Sequence, residues 1–282
     1  MTQTPASDLP TATPNPDAHD NVAATSKRLP WRRWLSGLTT PARRRVVATG
    51  AGVTLVIVVA FMILLSRDLT TPSDAESPPT NSELFAAAFA RLRKPDETAA
   101  ILDGLKIDDD MLARLTTLEQ LDVINVNTES ISPSTIKKLA AMPKLGQLHL
   151  RGVTIDDAML RELENSESIW LLNIPTTDVS PAAIESLDTM KLLRSLRIGI
   201  AGGDNRHGRA IATLQRLRTV HMIGIAVSDE GLQPLAHMPQ LESLYLDDTA
   251  VTDAGWDWLF RESPHLHVHI DQKHHDRDPQ KH

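Results

Sequence analysis

A period of 24 residues runs through most of this chain, and few features restrict a fold more tightly. Leu121, Leu145, Ile169, Leu193, Leu217 and Leu241 fall on it, each opening a segment of the form L-x-x-L-x-L, plainest in LGQLHL at 145–150. A unit this short cannot bury its apolar face alone, so neighbouring units must stack into a solenoid with one continuous core.

The columns of the repeat define the unit. Three places after each start stand Ala100, Ile124, Leu148, Leu172, Leu196, Val220, Leu244 and Val268. Two places further on come Leu102, Val126, Leu150, Ile174, Ile198, Met222, Leu246 and Ile270. Apolar residues with period two predict a strand whose alternate side chains point inward. On this reading Leu148 points in, whereas His149 points out and tolerates substitution. Later in the unit, Leu112, Ile136, Leu160, Ile184, Leu232 and Trp256 precede Leu115, Leu139, Leu163, Leu187, Leu235 and Leu259 by three residues, a helical spacing. Asp108, Ser132, Asp156, Ser180, Asp204, Ser228 and Thr252 form a column of residues able to cap a helix start. Pro133 and Pro181 follow at the first helical position, and Pro143 and Pro239 stand beyond the helix ends. Each unit therefore reads strand, turn, helix. The fold class is α/β, with parallel strands on one face of a solenoid and helices on the other.

The L-x-x-L-x-L segments, followed by stretches such as TAVTDAGW at 249–256, resemble the leucine-rich repeats of bacterial proteins. The subtype resembled is the short one with a convex-side helix, similar to ribonuclease-inhibitor-like and cysteine-containing repeats. The resemblance covers 97–271, about three fifths of the chain. It implies a protein-binding surface on the concave sheet and leaves the ligand open. One column departs from the pattern: where such repeats place Asn, this chain has Leu105, Glu129, Val153, Thr177, Ala201, Ile225 and Thr249. An asparagine ladder is therefore not expected, and the turns must find other partners.

The flanks are of different character. Residues 1–45 hold Lys27, Arg28, Arg32, Arg33, Arg43, Arg44 and Arg45 against Asp8, Asp17 and Asp20; they read as a disordered basic segment, with Trp31 and Trp34 suited to a membrane interface. Val46 to Leu65 carries no charge and is long enough to span about 30 Å of hydrocarbon. The cations before it predict a signal anchor with the amino terminus cytoplasmic and the repeats extracytoplasmic, periplasmic in a bacterium. A cleavable or twin-arginine signal is the alternative. Residues 66–80 read as a linker, 81–96 as a capping helix with Leu84, Phe85, Ala88, Phe89 and Leu92 on one face, and 272–282 as a His-rich polar tail.

With no cysteine there is neither a disulfide nor a thiolate metal site, and no cofactor is expected. Beyond the apolar run 22 basic and 33 acidic residues remain, a balance of −11 that argues against nucleic-acid binding. No Ser, His and carboxylate constellation supports catalysis. The stretch GIAGGDNRHG at 199–208 lacks the pattern of a phosphate loop and reads as a distorted loop. The candidate partner surface is the outward face of the strands: Trp170, Leu171, Arg194, Arg197, Arg218, His221 and Tyr245. Arginine and aromatic side chains of this kind dominate binding hot spots and suit an acidic protein partner. His267 and His269 alternate on the last strand and are weak metal candidates. A structural spacer and a metal-binding protein are the competing functions.

Overall fold

The computed structural model describes residues 78–274. The expected membrane span at 46–65 and the basic segment before it lie outside the described residues, as does the tail beyond His274. Among the described residues no helix is long and apolar enough to cross a membrane.

The chain opens with helix α1 (Asn81–Leu92), started by a capping box in which Thr80 and Glu83 satisfy each other's backbone donors. Strand β1 (Ala99–Ile107) and helix α2 (Asp109–Leu115) follow, then β2 (Val123–Thr128) and α3 (Pro133–Ala140). Next come β3 (Gln147–Arg151), a two-residue β4 (Ile155–Asp156), α4 (Asp157–Leu163), β5 (Leu171–Asp178) and α5 (Pro181–Ser186), which runs into a 3₁₀ turn. Strand β6 (Ser195–Gly203), α6 (Asn205–Ala212), β7 (Thr219–Ile225), α7 (Asp229–Ala236), β8 (Ser243–Asp247) and α8 (Asp253–Glu262) complete the repeats. The last two strands are β9 (His267–Ile270) and β10 (Lys273–His274). The main path of the sheet is β1-β2-β3-β5-β6-β7-β8-β9-β10, with β4 beside β5, and successive rungs are parallel until β10 turns back. Val123 pairs with Gln147, Leu171 with Ser195, and Ser195 with Thr219, so the 24-residue columns of the sequence are the pairing register itself. This is the arrangement expected of a leucine-rich-repeat solenoid.

The core lies between sheet and helices. Ala100, Ile124, Leu148, Leu172, Leu196, Val220, Leu244 and Val268 are each fully buried, and the helix columns through Leu115 and Leu112 are buried along their length. The end at β9 is less sealed: Ile270 is only partly buried. At the other end α1 does act as a cap. Asn81 exchanges two hydrogen bonds with the backbone of Lys106 on the edge strand, which blunts an otherwise open ladder. Phe85 and Leu92 are buried, and Arg114 lies 4.5 Å over the Phe89 ring. Leu84, expected on the buried face, is 42% exposed.

All seven cap-column residues sit at helix N-caps, but Ser228 makes no cap bond. Its hydroxyl instead accepts from Asn205 Nδ2 at 2.8 Å. That contact belongs to a ladder that the sequence columns do not display. The first helical residue of one unit reaches the cap of the next: Asp109 accepts from Ser132 N, Asp157 from Ser180 N and Oγ, Asn205 from Ser228 N, and Asp229 from Thr252 N and Oγ1. Burial pushes the Asp109 and Asp157 carboxyls up, but the bonds they receive outweigh it and hold both below the ordinary carboxylate value. This ladder does what an asparagine ladder would have done. In the vacated Asn column, Thr177 and Thr249 donate to the carbonyls of Gly199 and Val227 on adjacent rungs. Ser180 both caps α5 and donates to Asp157, so Ser180→Ala is expected to cost about 1–2 kcal/mol. Ser228→Ala, which removes no cap bond, should cost clearly less; equal urea midpoints for the two variants would refute this division.

The stretch 199–208 is not a distorted loop. Its first half continues β6 and its second half opens α6. Pro175 on β5 has no N–H to offer, the ladder shifts register there, and Gly199 approaches the Pro175 carbonyl too closely for any Cβ. Gly203 and Gly208 are buried against Ile225 and Val227, side chains of the next unit that fill the space.

Candidate functional site: the outward strand face

The outward side chains of the strands form two columns of interest. One runs through Asn125, His149, Asn173, Arg197, His221, Tyr245 and His269, whose strands are paired in that register. Its members are joined across rungs. Arg197 Nη1 donates to Asn173 Oδ1 at 3.3 Å, and Asn173 Nδ2 lies 3.0 Å from His149 Nδ1. In the other direction Arg197 Nε donates to His221 Nδ1 at 3.2 Å, and His221 Nε2 lies 2.8 Å from Asp247 Oδ2. Donor directions follow from the chemistry. A guanidinium only donates, so His221 Nδ1 must accept, which leaves the proton on Nε2 facing the Asp247 carboxylate. The amide of Asn173 is fixed in the same way, with its NH₂ toward a His149 nitrogen that must accept. Arg197 is thus the source of a hydrogen-bond chain that runs both ways along the sheet. The aromatic members continue it: His221 and Tyr245 lie 5.4 Å apart, and Tyr245 stacks on His269 at 4.5 Å.

Electrostatics match this order. Burial pulls the Arg197 guanidinium down, with Arg151 adding to the effect and Asp247 opposing it. Burial, then Arg151 and Arg197, lower His149 to about 4, so it stays neutral at ordinary pH; Asp103 works weakly the other way. Arg151 itself is ion-paired with Asp103. His149 does not stand free on the outer face, as its place in the strand suggests. It is half-buried in the chain of bonds, because rungs about 4.8 Å apart bring each outward side chain against its neighbours in the column.

No protein-family profile and no curated protein matches this chain. Solved structures do match, among them internalin C2 from Listeria monocytogenes, at 17% identity and a TM-score of 0.42 over 64% of this chain and 74% of that one. A likeness at that level adds nothing to the fold, which rests on the rungs themselves.

The second column lies nearer the strand starts and holds Asp122, Gly146, Trp170, Arg194, Arg218 and Glu242. Trp170 is 36% exposed and lies over Gly146, where a Cβ would meet its indole nitrogen at 2.6 Å. Arg218 pairs with Glu242 at 3.0 Å, the relief that the sequence offered for two arginines on adjacent rungs. Arg194 needs none from that source: its Nη1 turns to the carbonyls of Lys191 and Leu193, both at 2.9 Å. Leu171 is a correction. It is 8% exposed, covered between its register partners Gln147 and Ser195, and contributes nothing to a contact surface. Of the expected residues, Arg197, His221 and Tyr245 are brought together in the first column, Trp170 and Arg218 stand exposed near the strand starts, and Arg194 is occupied by its own backbone. His149, Asn173 and Asp247 belong to the same constellation without being among the expected site residues; following one repeat column through every unit would have shown His149 and Asn173, whereas Asp247 lies in the column two places further on, where it pairs with Ile223. Asp247 Oδ1 and Asn125 Oδ1 are buried acceptors without a hydrogen-bond partner among the described residues.

The start of the tail is a second correction. Gln272 to His274 do not trail away; Asp271 and Gln272 take positive φ values of 47° and 63° and turn the chain back, so that His274 pairs with His269. The weak metal candidates His267 and His269 thereby acquire a third imidazole.

Proposed function

We propose that this protein is a binding scaffold that presents its strand face to another protein, held at a membrane by the apolar run Val46 to Leu65. The observation that carries the reading is the outward column from His149 to Tyr245, a polar and aromatic stripe fixed by hydrogen bonds as far as His221 and by the ring contact of His221 with Tyr245, and flanked by exposed Trp170 and Arg218. Preorganised arginine and aromatic groups lose little entropy on contact, which favours binding. Arg197 and Arg218 suit carboxylates on the partner, and Trp170 offers it an apolar anchor. The cations preceding residue 46 favour an amino terminus in the cytoplasm and repeats outside it.

Crosslinking of the full-length protein in native membranes, followed by partner identification, tests this. A Trp170→Ala, Arg218→Glu variant should lose at least tenfold of the captured partner while keeping its circular dichroism spectrum. Lys137→Glu, on the exposed side of α3, should capture as the parent does. Equal capture by all three would remove the strand face as the site. Protease added to spheroplasts of the same cells should digest the repeats; protection would overturn the orientation.

A further inference from the structure

Three imidazoles meet at the end of the solenoid. His267 and His269 alternate on β9 and so share a face, and the β9–β10 turn sets His274 directly across from His269. Ring centroids are 4.7 Å apart for His267 and His269, 4.9 Å for His267 and His274, and 4.1 Å for His269 and His274. The Nε2 atoms of His267 and His269 stand 2.8 Å apart, and one ligand nitrogen from each of the three rings falls within 4.8 Å of the others. His274 Nδ1 is buried and has no hydrogen-bond partner among the described residues. Three nitrogens bound tetrahedrally at about 2.0–2.1 Å from one ion stand roughly 3.3 Å apart. The His267–His269 separation of 2.8 Å lies about half an ångström below that value, and the 4.8 Å limit on the other two pairs leaves room for it.

We propose that His267, His269 and His274 bind one divalent transition metal ion of the imidazole-preferring kind, with zinc as the probe ion, and that the ion pins the closing hairpin to the last rung. The chemistry of the donor set argues against the hard-cation class: three imidazoles and, among the described residues, no carboxylate suit zinc, copper or nickel, not calcium or magnesium. Tyr245 stacks on His269 and fixes its ring plane, as supporting groups do around metal ligands. The placement has a structural purpose. Strand β10 ends the sheet, Ile270 is incompletely covered, and the turn holds two non-glycine residues in the left-handed region. A chain without cysteine can hold such an end with an ion instead of a disulfide. Three ligands leave a fourth position for water or for a donor from another molecule.

The test uses the full-length protein, stripped with chelator and titrated with zinc chloride by calorimetry, because His275 and His282 also lie nearby in sequence. One ion per chain is expected, and His267→Ala, His269→Ala and His274→Ala should each weaken it at least tenfold. His275→Ala should leave affinity within twofold. Zinc should raise the melting temperature of the parent and of His275→Ala but not of His274→Ala, whose dichroism spectrum stays that of the parent. Absence of submillimolar binding, or equal weakening by His275→Ala and His274→Ala, would overturn the site in favour of loose association with the tail.

Discussion

Replacing Leu148 with alanine is expected to destabilise the repeat domain by about 2–5 kcal/mol, read as a drop in urea midpoint at unchanged slope. Leu148 is fully buried and stands in register between Ile124 and Leu172, themselves fully buried. Each rung of a solenoid touches only its neighbours, so a cavity here weakens two interfaces at once and no distant contact makes good the loss. The neighbouring Gln147 is a fair comparison, being part-exposed on the opposite face of the same strand, and Gln147→Ala should change stability by about 0.5 kcal/mol or less. Similar losses at both positions would show that the strand faces have been assigned wrongly.

Acidification from pH 6.5 to 4 is expected to remove about 3 kcal/mol through His149 alone, since each tenfold loss of proton affinity on folding corresponds to about 1.4 kcal/mol. Its folded-state value of about 4 lies below the ordinary 6.5, so the unfolded chain takes up the proton first. Stability from this group is therefore complete above pH 6.5 and is lost as the pH falls through 4. The groups around the ring are Arg151 on its own strand, Arg197 on β6, Asp103 on β1 and the Asn173 amide on β5; the two cations outweigh the carboxylate. His149→Gln should flatten the stability profile across this window. A profile with the same slope as the parent would show that His149 titrates normally. Asp109 and Asp157 act at lower pH: their depressed values give stability that is present above the ordinary carboxylate value and lost only below it.

The rungs, their register and their buried columns were readable because a strict period converts sequence distance into spatial adjacency. A single apolar residue leaves its facing open, but the same choice repeated in every unit does not, and Ile124, Leu148 and Leu172 occupy one line for that reason. What was hidden depends on contacts between units or on breaks in the period. Leu171 looked outward by its place in the strand, yet side-by-side rungs cover it. His149 looked free for the same reason. The helix-start ladder joins residues 23 apart, one short of the period, so no single column displays it. His274 lies past the last repeat, where only the turn at Asp271 and Gln272 decides that the chain comes back.

The helix-start ladder also sets a rule for how such a chain can grow. An Asp or Asn at one helix start faces a Ser or Thr at the next, as Asp109 faces Ser132 and Asp157 faces Ser180. Where proline takes that place, at Pro133 and Pro181, the following cap is an aspartate, Asp156 or Asp204. Hydroxyl caps thus follow carboxylates, and carboxylate caps follow prolines, which have nothing to repel them. Excising one whole rung from this stretch would set Asp109 against Asp156, or leave Ser180 facing a proline. Excising two in succession restores every pairing. Removal of one rung therefore breaks a pairing that removal of two restores, and the self-consistent unit of the ladder in this half of the molecule is a pair of rungs.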